Sequence, residues 1–417
     1  MAFALGVALF ALGIFVSVCL HEAGHMWTAK KFGMKVTRYF AGFGPTLWSF
    51  RRGETEYGLK AVPLGGFVKI VGMTPLEEDE ASLSEADKKR VFWRKPLWQR
   101  TVVLSAGSIT HFILAFLLLW IAAMFVGLPN PALADVRSAE DVDKQPAVIA
   151  VLPCVPVNEL ATECAPTDPE SPGKIAGLQN FDRIVAVNGT TIATYGDFRK
   201  AIRATPAGSA LNLTVNRGNN IQSVTATPTQ VERTAPDGTK QLTAVLGITW
   251  TTNEPNTVTY NPATAVGAAG AFFGDTLGNT FLAMKKLPEK LPKLWEALGG
   301  GERDVETPIS VVGASRIGGE LADRGIWPPF FWLLASLNVF VGIFNLLPLL
   351  PLDGGHIAIA WFERLRSTWA ARRGKPDPGR VDYAKLMPVT YAVIIIFGAF
   401  TLLTVGADIV NPITLPW

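Results

Sequence analysis

Five consecutive residues, His21-Glu22-Ala23-Gly24-His25, carry the most specific chemistry in the chain. On a helix, His21 and His25 stand at i and i+4. Both imidazoles then leave one face and can share a Zn²⁺, with Glu22 beside them to activate a water. A catalytic zinc takes three protein ligands and keeps one position open, so one donor must come from elsewhere. Asp353, in Leu352-Asp353-Gly354-Gly355-His356, closes a second apolar run and is the carboxylate placed to supply it. An Asp-Gly pair alone is an ordinary turn, and HExxH alone recurs by chance on soluble helices. What separates these residues from that background is that both motifs lie at the same depth of an apolar phase, where an ionisable group costs several kcal/mol without a partner.

The elements that must position them follow from hydropathy. Met1–Leu20 has no charged residue. At roughly 1.5 Å per residue it is long enough to span a bilayer, and His21 falls roughly 27 Å along the helix from Phe3, near the far side. It lacks the basic n-region and short h-region of a signal peptide. Thr101–Leu128, Ile326–Leu352 and Met387–Val405 are three further runs of spanning length. The 417 residues are 49% hydrophobic and 18% charged, with mean hydropathy +0.26, as befits a membrane protein with a sizeable soluble insert. A net charge of +3 argues for no nucleic-acid partner. The placement of charge says more: fourteen Lys and Arg lie between Thr28 and Arg100 and seven between Phe362 and Leu386, with none near either terminus. The positive-inside rule makes both stretches cytoplasmic and both termini external.

Residues 1–34 are therefore read as the first membrane helix, 35–73 as a β segment punctuated by glycines that include Gly42, Gly44, Gly65 and Gly66, and 74–99 as cytoplasmic. Residues 100–128 form the second span. Residues 129–262 have the composition of a soluble external domain, with strands at Val148–Val151, Arg183–Val187 and Leu211–Val215, a helix at Asp197–Arg203 and a hairpin turn at Asp237-Gly238. In that oxidising compartment Cys154 and Cys164 could pair, whereas Cys19 is a packed thiol of the first helix. Residues 263–325 are ambiguous in hydropathy and are assigned to the outer membrane surface by parity. Were they a span, Asp353 would fall on the opposite side from His21. The third span occupies 326–361, the basic loop 362–386, and the fourth span with its tail 387–417.

Read together, these motifs resemble the site-2 protease family of intramembrane metalloproteases, in its bacterial RseP-like branch and the actinobacterial form with one PDZ domain. The matching stretches cover nearly the whole chain: His21–His25, Phe40-Ala41-Gly42-Phe43-Gly44-Pro45, Val62–Lys69, Pro308-Ile309-Ser310 and Asn345–Gly355. Ala176-Gly177-Leu178, Asp182-Arg183-Ile184 and Val187-Asn188-Gly189 resemble a protease-associated PDZ domain, with Phe181 where such domains usually have glycine. The resemblance implies a polytopic α-helical membrane protein with four spanning helices, a membrane-re-entrant β-sheet and an inserted α+β PDZ-like domain. It implies zinc on His21, His25 and Asp353, with Glu22 as general base and Asn345 on the substrate backbone. Its substrates would be single-pass membrane proteins, such as anti-sigma factors or remnant signal peptides, cut within the bilayer of a bacterial cell membrane. The family often has Gly-Pro-x-x-Asn opening the second helix. Here the stretch reads Gly107-Ser108-Ile109-Thr110-His111, so any polar role of that Asn passes to His111 or is lost.

A protease in a bilayer must admit water and must unwind its substrate, because a transmembrane helix hides its carbonyls in i→i−4 bonds. A free strand edge within 39–73 could receive the unwound segment by β-addition, with Gly42, Gly44, Gly65 and Gly66 permitting close approach. Two rival readings are a PDZ-bearing scaffold with a vestigial metal site and a divalent-metal transporter. The intact His21, Glu22, His25 and Asp353 oppose the first. The nearly apolar fourth helix opposes the second.

Overall fold

The structure is a computed structural model, described over residues 1–73, 83–134, 136, 138–157, 164–206, 208–234, 240–301, 303 and 307–413. The described chain divides into two compact units, Met1–Leu128 with residues 259–413, and Pro129–Val258.

The first unit begins with α1 (Ala2–Lys31), which carries the HExxH motif in its last three turns. Two long strands follow, β1 (Val36–Arg52) and β2 (Thr55–Ile70). Their pairing is not that of a plain hairpin. Arg38 is in register with both Glu56 and Lys69, and Ala41 with both Leu59 and Gly66. The strands thus bend back on themselves, and Arg38–Ala41 is bonded on both sides while Gly66–Ile70 keeps an open edge. The bends need left-handed backbone, supplied by Gly42 at φ +86° and Gly65 at φ +119°. The second long helix is α2 (Leu97–Phe125).

In the second unit, β3 (Val148–Val151), β4 (Asp182–Val187), α3 (Tyr195–Arg203), β5 (Leu211–Arg217) and β6 (Asn220–Ala226) come in that order along the chain. After them come β7 (Thr229–Thr234), β8 (Lys240–Val245) and β9 (Ile248–Trp250). The main sheet runs β9-β3-β4-β5-β6, and β7 pairs with β8. The turn expected at Asp237-Gly238 lies outside the described residues. The core is Ile149, Ile184, Leu211, Leu213 and Val215 from the sheet, closed by Phe198 and Ile202 of α3. Thr194 and Asp197 form a reciprocal capping box that starts α3. Cys154 and Cys164 are joined in a disulfide. Phe181, the departure from the glycine usual there, has φ +71°, in the region that favours glycine.

Back in the first unit, residues 263–298 form one helix, α4 (Pro262–Leu298), running through Pro288 and Pro292. It does not divide into the apolar and Lys/Pro-rich pieces that its composition suggests. Its Ala265 and Ala269 pack among Leu119 and Ala122 of α2. Phe273 meets Phe112 and Phe116 edge to face. Next come α5 (Val311–Asp323), which packs Ala314, Ile317 and Leu321 on Phe10 of α1, and α6 (Trp327–Asn345). Ala335 and Val339 of α6 share the small-residue seam of α2 and α4.

Here the structure corrects an expected boundary. The apolar run Ile326–Leu352 is not one helix. Helix α6 stops at Asn345, a loop holding Pro348 and Pro351 follows, and Asp353 opens a separate helix, α7 (Asp353–Arg372). Proline has no N–H to give and blocks the preceding turn, so two of them three residues apart end the helix despite unbroken hydrophobicity. The last helix is α8 (Met387–Val410). Four helical segments, α1, α2, α6 and Tyr383–Val410, are long and apolar enough to cross a membrane.

Candidate active site

Three elements far apart in sequence bring their donors to one point. Helix α1 presents His21 and His25 from adjacent turns of one face, and α7 presents Asp353 from its first turn. His21 Nε2 and His25 Nε2 are 3.1 Å apart. Asp353 Oδ2 is 3.3 Å from each. A tetrahedral zinc with donors at roughly 2.0–2.1 Å would hold those donors roughly 3.3 Å from one another.

The protonation pattern fits a cation as well as the spacing does. His25 Nδ1 donates to the Val103 carbonyl at 2.7 Å. In the uncharged ring that commits the proton, so Nε2 offers only a lone pair. Asp353 Oδ2 is buried and makes no hydrogen bond of normal geometry. With the His21 proton likewise on Nδ1, three lone pairs would converge here, and a divalent ion is a partner common to all three. Among the described residues, His21, His25 and Asp353 are the group able to hold a metal.

Close helix crossing makes the convergence possible. A Cβ built on Gly107 of α2 would lie 2.6 Å from both His21 ring nitrogens. One built on Gly24 of α1 would lie 2.5 Å from Thr110 Oγ1 and 2.8 Å from the Ala106 carbonyl. Glycine on each side of the crossing thus lets α1 and α2 approach until the His21 ring rests on α2 backbone. At Asp353 the same device recurs. A side chain on Gly354 would strike the Leu346 and Leu347 carbonyls, and one on Gly355 would come within 2.6 Å of Leu349. The proline loop therefore wraps directly over the first turn of α7 and holds Asp353 against α1.

Glu22 lies between the donor set and β2. Its Cγ is 3.5 Å from where a Gly66 Cβ would be, and the Val68 backbone amide faces its carboxylate. The open edge of β2 therefore runs beside Glu22. Gly66 is at that edge and Gly65 forms the bend that leads into it, but Gly42 and Gly44 are not at the edge. Those two lie at the bend of β1, where a Cβ on Gly42 would come within 2.8 Å of the Val62 carbonyl and one on Gly44 would touch the Val62 side chain. Asn345 is the last residue of α6, partly buried, immediately before the proline loop.

His111 sits beside the metal set, its ring centroid 5.1 Å from that of His21. Its Nδ1 is 2.8 Å from Asn338 Oδ1. Asn338 escaped the sequence reading, although a signal existed. It is an amide within an apolar run, seven residues before Asn345 and so on the same helical face. Val103, which contributes a main-chain carbonyl, leaves no trace in sequence.

A zinc-type donor set of two histidines and an aspartate, buried among membrane-length helices, defines an intramembrane metalloprotease. The chain belongs to peptidase family M50, the site-2 protease family, whose sequence profile matches residues 9–389. It is a zinc metalloprotease. It is 42% identical over 424 residues to zinc metalloprotease Rip1 of Mycolicibacterium smegmatis, covering all of both chains. Rip1 of Mycobacterium tuberculosis H37Rv is 41% identical over 418 residues, again covering both chains whole. Rip1 of Mycobacterium bovis BCG shows the same 41% over 418 residues.

Proposed function

We propose that this zinc metalloprotease cleaves transmembrane segments of single-pass proteins, anti-sigma factors or remnant signal peptides among them, after a first cut outside the membrane. The observation that carries the reading is the triangle of His21 Nε2, His25 Nε2 and Asp353 Oδ2, with sides of 3.1, 3.3 and 3.3 Å, buried at the inner end of α1. These three residues hold the zinc, which supplies Lewis-acid activation of water and of the scissile carbonyl. Glu22, next to the donor set, accepts the proton of the attacking water and passes it to the leaving amide nitrogen. The one-sided pairing of Gly66–Ile70 supports a docking role for that edge. An unwound substrate strand gains main-chain hydrogen bonds there in place of those lost from its helix. Gly66, without a side chain, lets the substrate backbone lie close to Glu22. Asn345 contacts the substrate backbone at the end of α6.

In this reading the unit formed by residues 129–258 is PDZ-like and external, and it admits substrates whose outer part has already been trimmed. The order β9-β3-β4-β5-β6 with α3 closing the core supports it. The test of the chemistry is Glu22→Gln in a cell-based assay that follows one tagged single-pass reporter. General-base removal costs roughly 10²–10⁴-fold in rate, so uncut reporter should accumulate while zinc content stays at the parent level. Cleavage at the parent rate would refute the role of Glu22.

A further inference from the structure

The metal set leaves one buried donor without a partner. His21 offers Nε2 to the zinc, which puts its proton on Nδ1, and that atom is buried with no hydrogen bond. Metal-bound histidines almost always donate the second ring N–H to an acceptor that fixes ring and tautomer. His25 obeys this rule through the Val103 carbonyl. Something must do the same for His21, and α2 is the helix packed on that ring, with Gly107 against its Cε1 edge between the two nitrogens.

His111, one helical turn beyond Gly107, has the right polarity, and Asn338 sets it. Asn338 Nδ2 donates to the Leu334 carbonyl at 2.8 Å, which fixes the amide orientation and turns Oδ1 toward His111. Since Oδ1 only accepts, His111 Nδ1 must carry its hydrogen, and Nε2 of the uncharged ring is left as an acceptor. Two imidazoles joined by an N–H···N bond of roughly 2.9 Å have centroids roughly 5 Å apart. The observed separation is 5.1 Å with the rings tilted by 47°, a spacing that fits such a bond.

We propose that His111, oriented by Asn338, is the positioning residue for His21 and accepts the hydrogen of His21 Nδ1. The chain Leu334 carbonyl, Asn338, His111, His21 then ties α6 through α2 to the metal. The inference rests on His21 being a zinc ligand, and it adds a role that the HExxH and aspartate motifs do not contain. Ser108 is the competing acceptor, since its hydroxyl on the same helix is also buried without a hydrogen bond.

The test is zinc retention by the purified full chain in detergent, titrated against a chelator, with cobalt substitution to read the ligand field. His111→Phe keeps the ring volume and removes the acceptor. Loss of such an outer partner weakens metal binding roughly 10–100-fold. Asn338→Leu should weaken binding by a similar factor, and the double variant should lose no more than either single one, because the two residues act in series. His111→Asn, whose carboxamide oxygen can accept, should restore most of the affinity and the parent cobalt spectrum. Ser108→Ala should bind zinc like the parent. Parent-like affinity in both His111→Phe and Asn338→Leu, or loss in Ser108→Ala with His111→Phe unaffected, would overturn the proposal. His21→Ala separates the two levels. If it keeps its zinc, the ligand assignment itself fails. If it loses zinc while the His111 and Asn338 variants do not, only the positioning role fails.

Discussion

At the scale of single residues, the site depends on which atoms have a committed proton. His25 is fixed by the Val103 carbonyl, and Asp353 has a buried oxygen with only lone pairs to offer. Removing one of three donors leaves two, too few for the three-ligand set that a catalytic zinc requires. We expect one zinc per chain by elemental analysis, with His21→Ala and Asp353→Ala each losing most of it. Full zinc content in Asp353→Ala would strike that residue from the ligand set. Glu22 differs in kind. It lies between the β2 edge and the donor triangle without belonging to the triangle, so Glu22→Gln should separate metal binding from turnover.

At the scale of elements, the crossing of α1 and α2 is the feature that builds the site. Gly24 and Gly107 let helix backbones meet where any larger residue would push them apart. In Gly107→Ala the added methyl would overlap the His21 ring, and overpacking of this kind costs about 1–3 kcal/mol. The relief available is for His21 to swing away from Asp353. The variant should therefore lose zinc affinity as well as thermal stability, both measurable on the purified protein. A variant that loses stability yet binds zinc as the parent does would show that the crossing relaxes elsewhere. Gly354 and Gly355 play the matching part on α7, letting the proline loop hold Asp353 in place.

For the whole molecule, the triangle has a topological consequence. His21 ends a span that starts at the N-terminus, and Asp353 follows α6, so α1 and α6 must run in the same direction for their donors to meet. From this and the basic stretches we propose an orientation with the 362–386 loop cytoplasmic and residues 129–258 external. Cysteine labelling in intact cells, in a Cys19→Ser background, tests it at two exposed positions. Asn219→Cys, in the turn between β5 and β6, should react with an impermeant reagent, and Lys375→Cys should not. External labelling at Lys375 would reverse the orientation of the whole chain.

Much of this protein was legible in sequence because its strongest constraints are local. The i, i+4 spacing of His21 and His25, the lack of charge before them, and the four apolar runs each lie within one stretch of chain. The cost of ionisable groups at membrane depth then pairs Asp353 with the histidines, even across more than three hundred residues. Tertiary structure alone decided what depends on which surfaces meet. It ended α6 at Asn345 inside an unbroken apolar run, and it bonded Arg38–Ala41 on both sides. It also joined Cys154 to Cys164 and pressed Gly107 against His21. His111 and Asn338 are separated by 227 positions, and neither has a neighbour in sequence that announces the other. Hydropathy and spacing report depth and helical face, but they do not report which helix stands opposite. Which groups surround His21 is settled only when three helices pack.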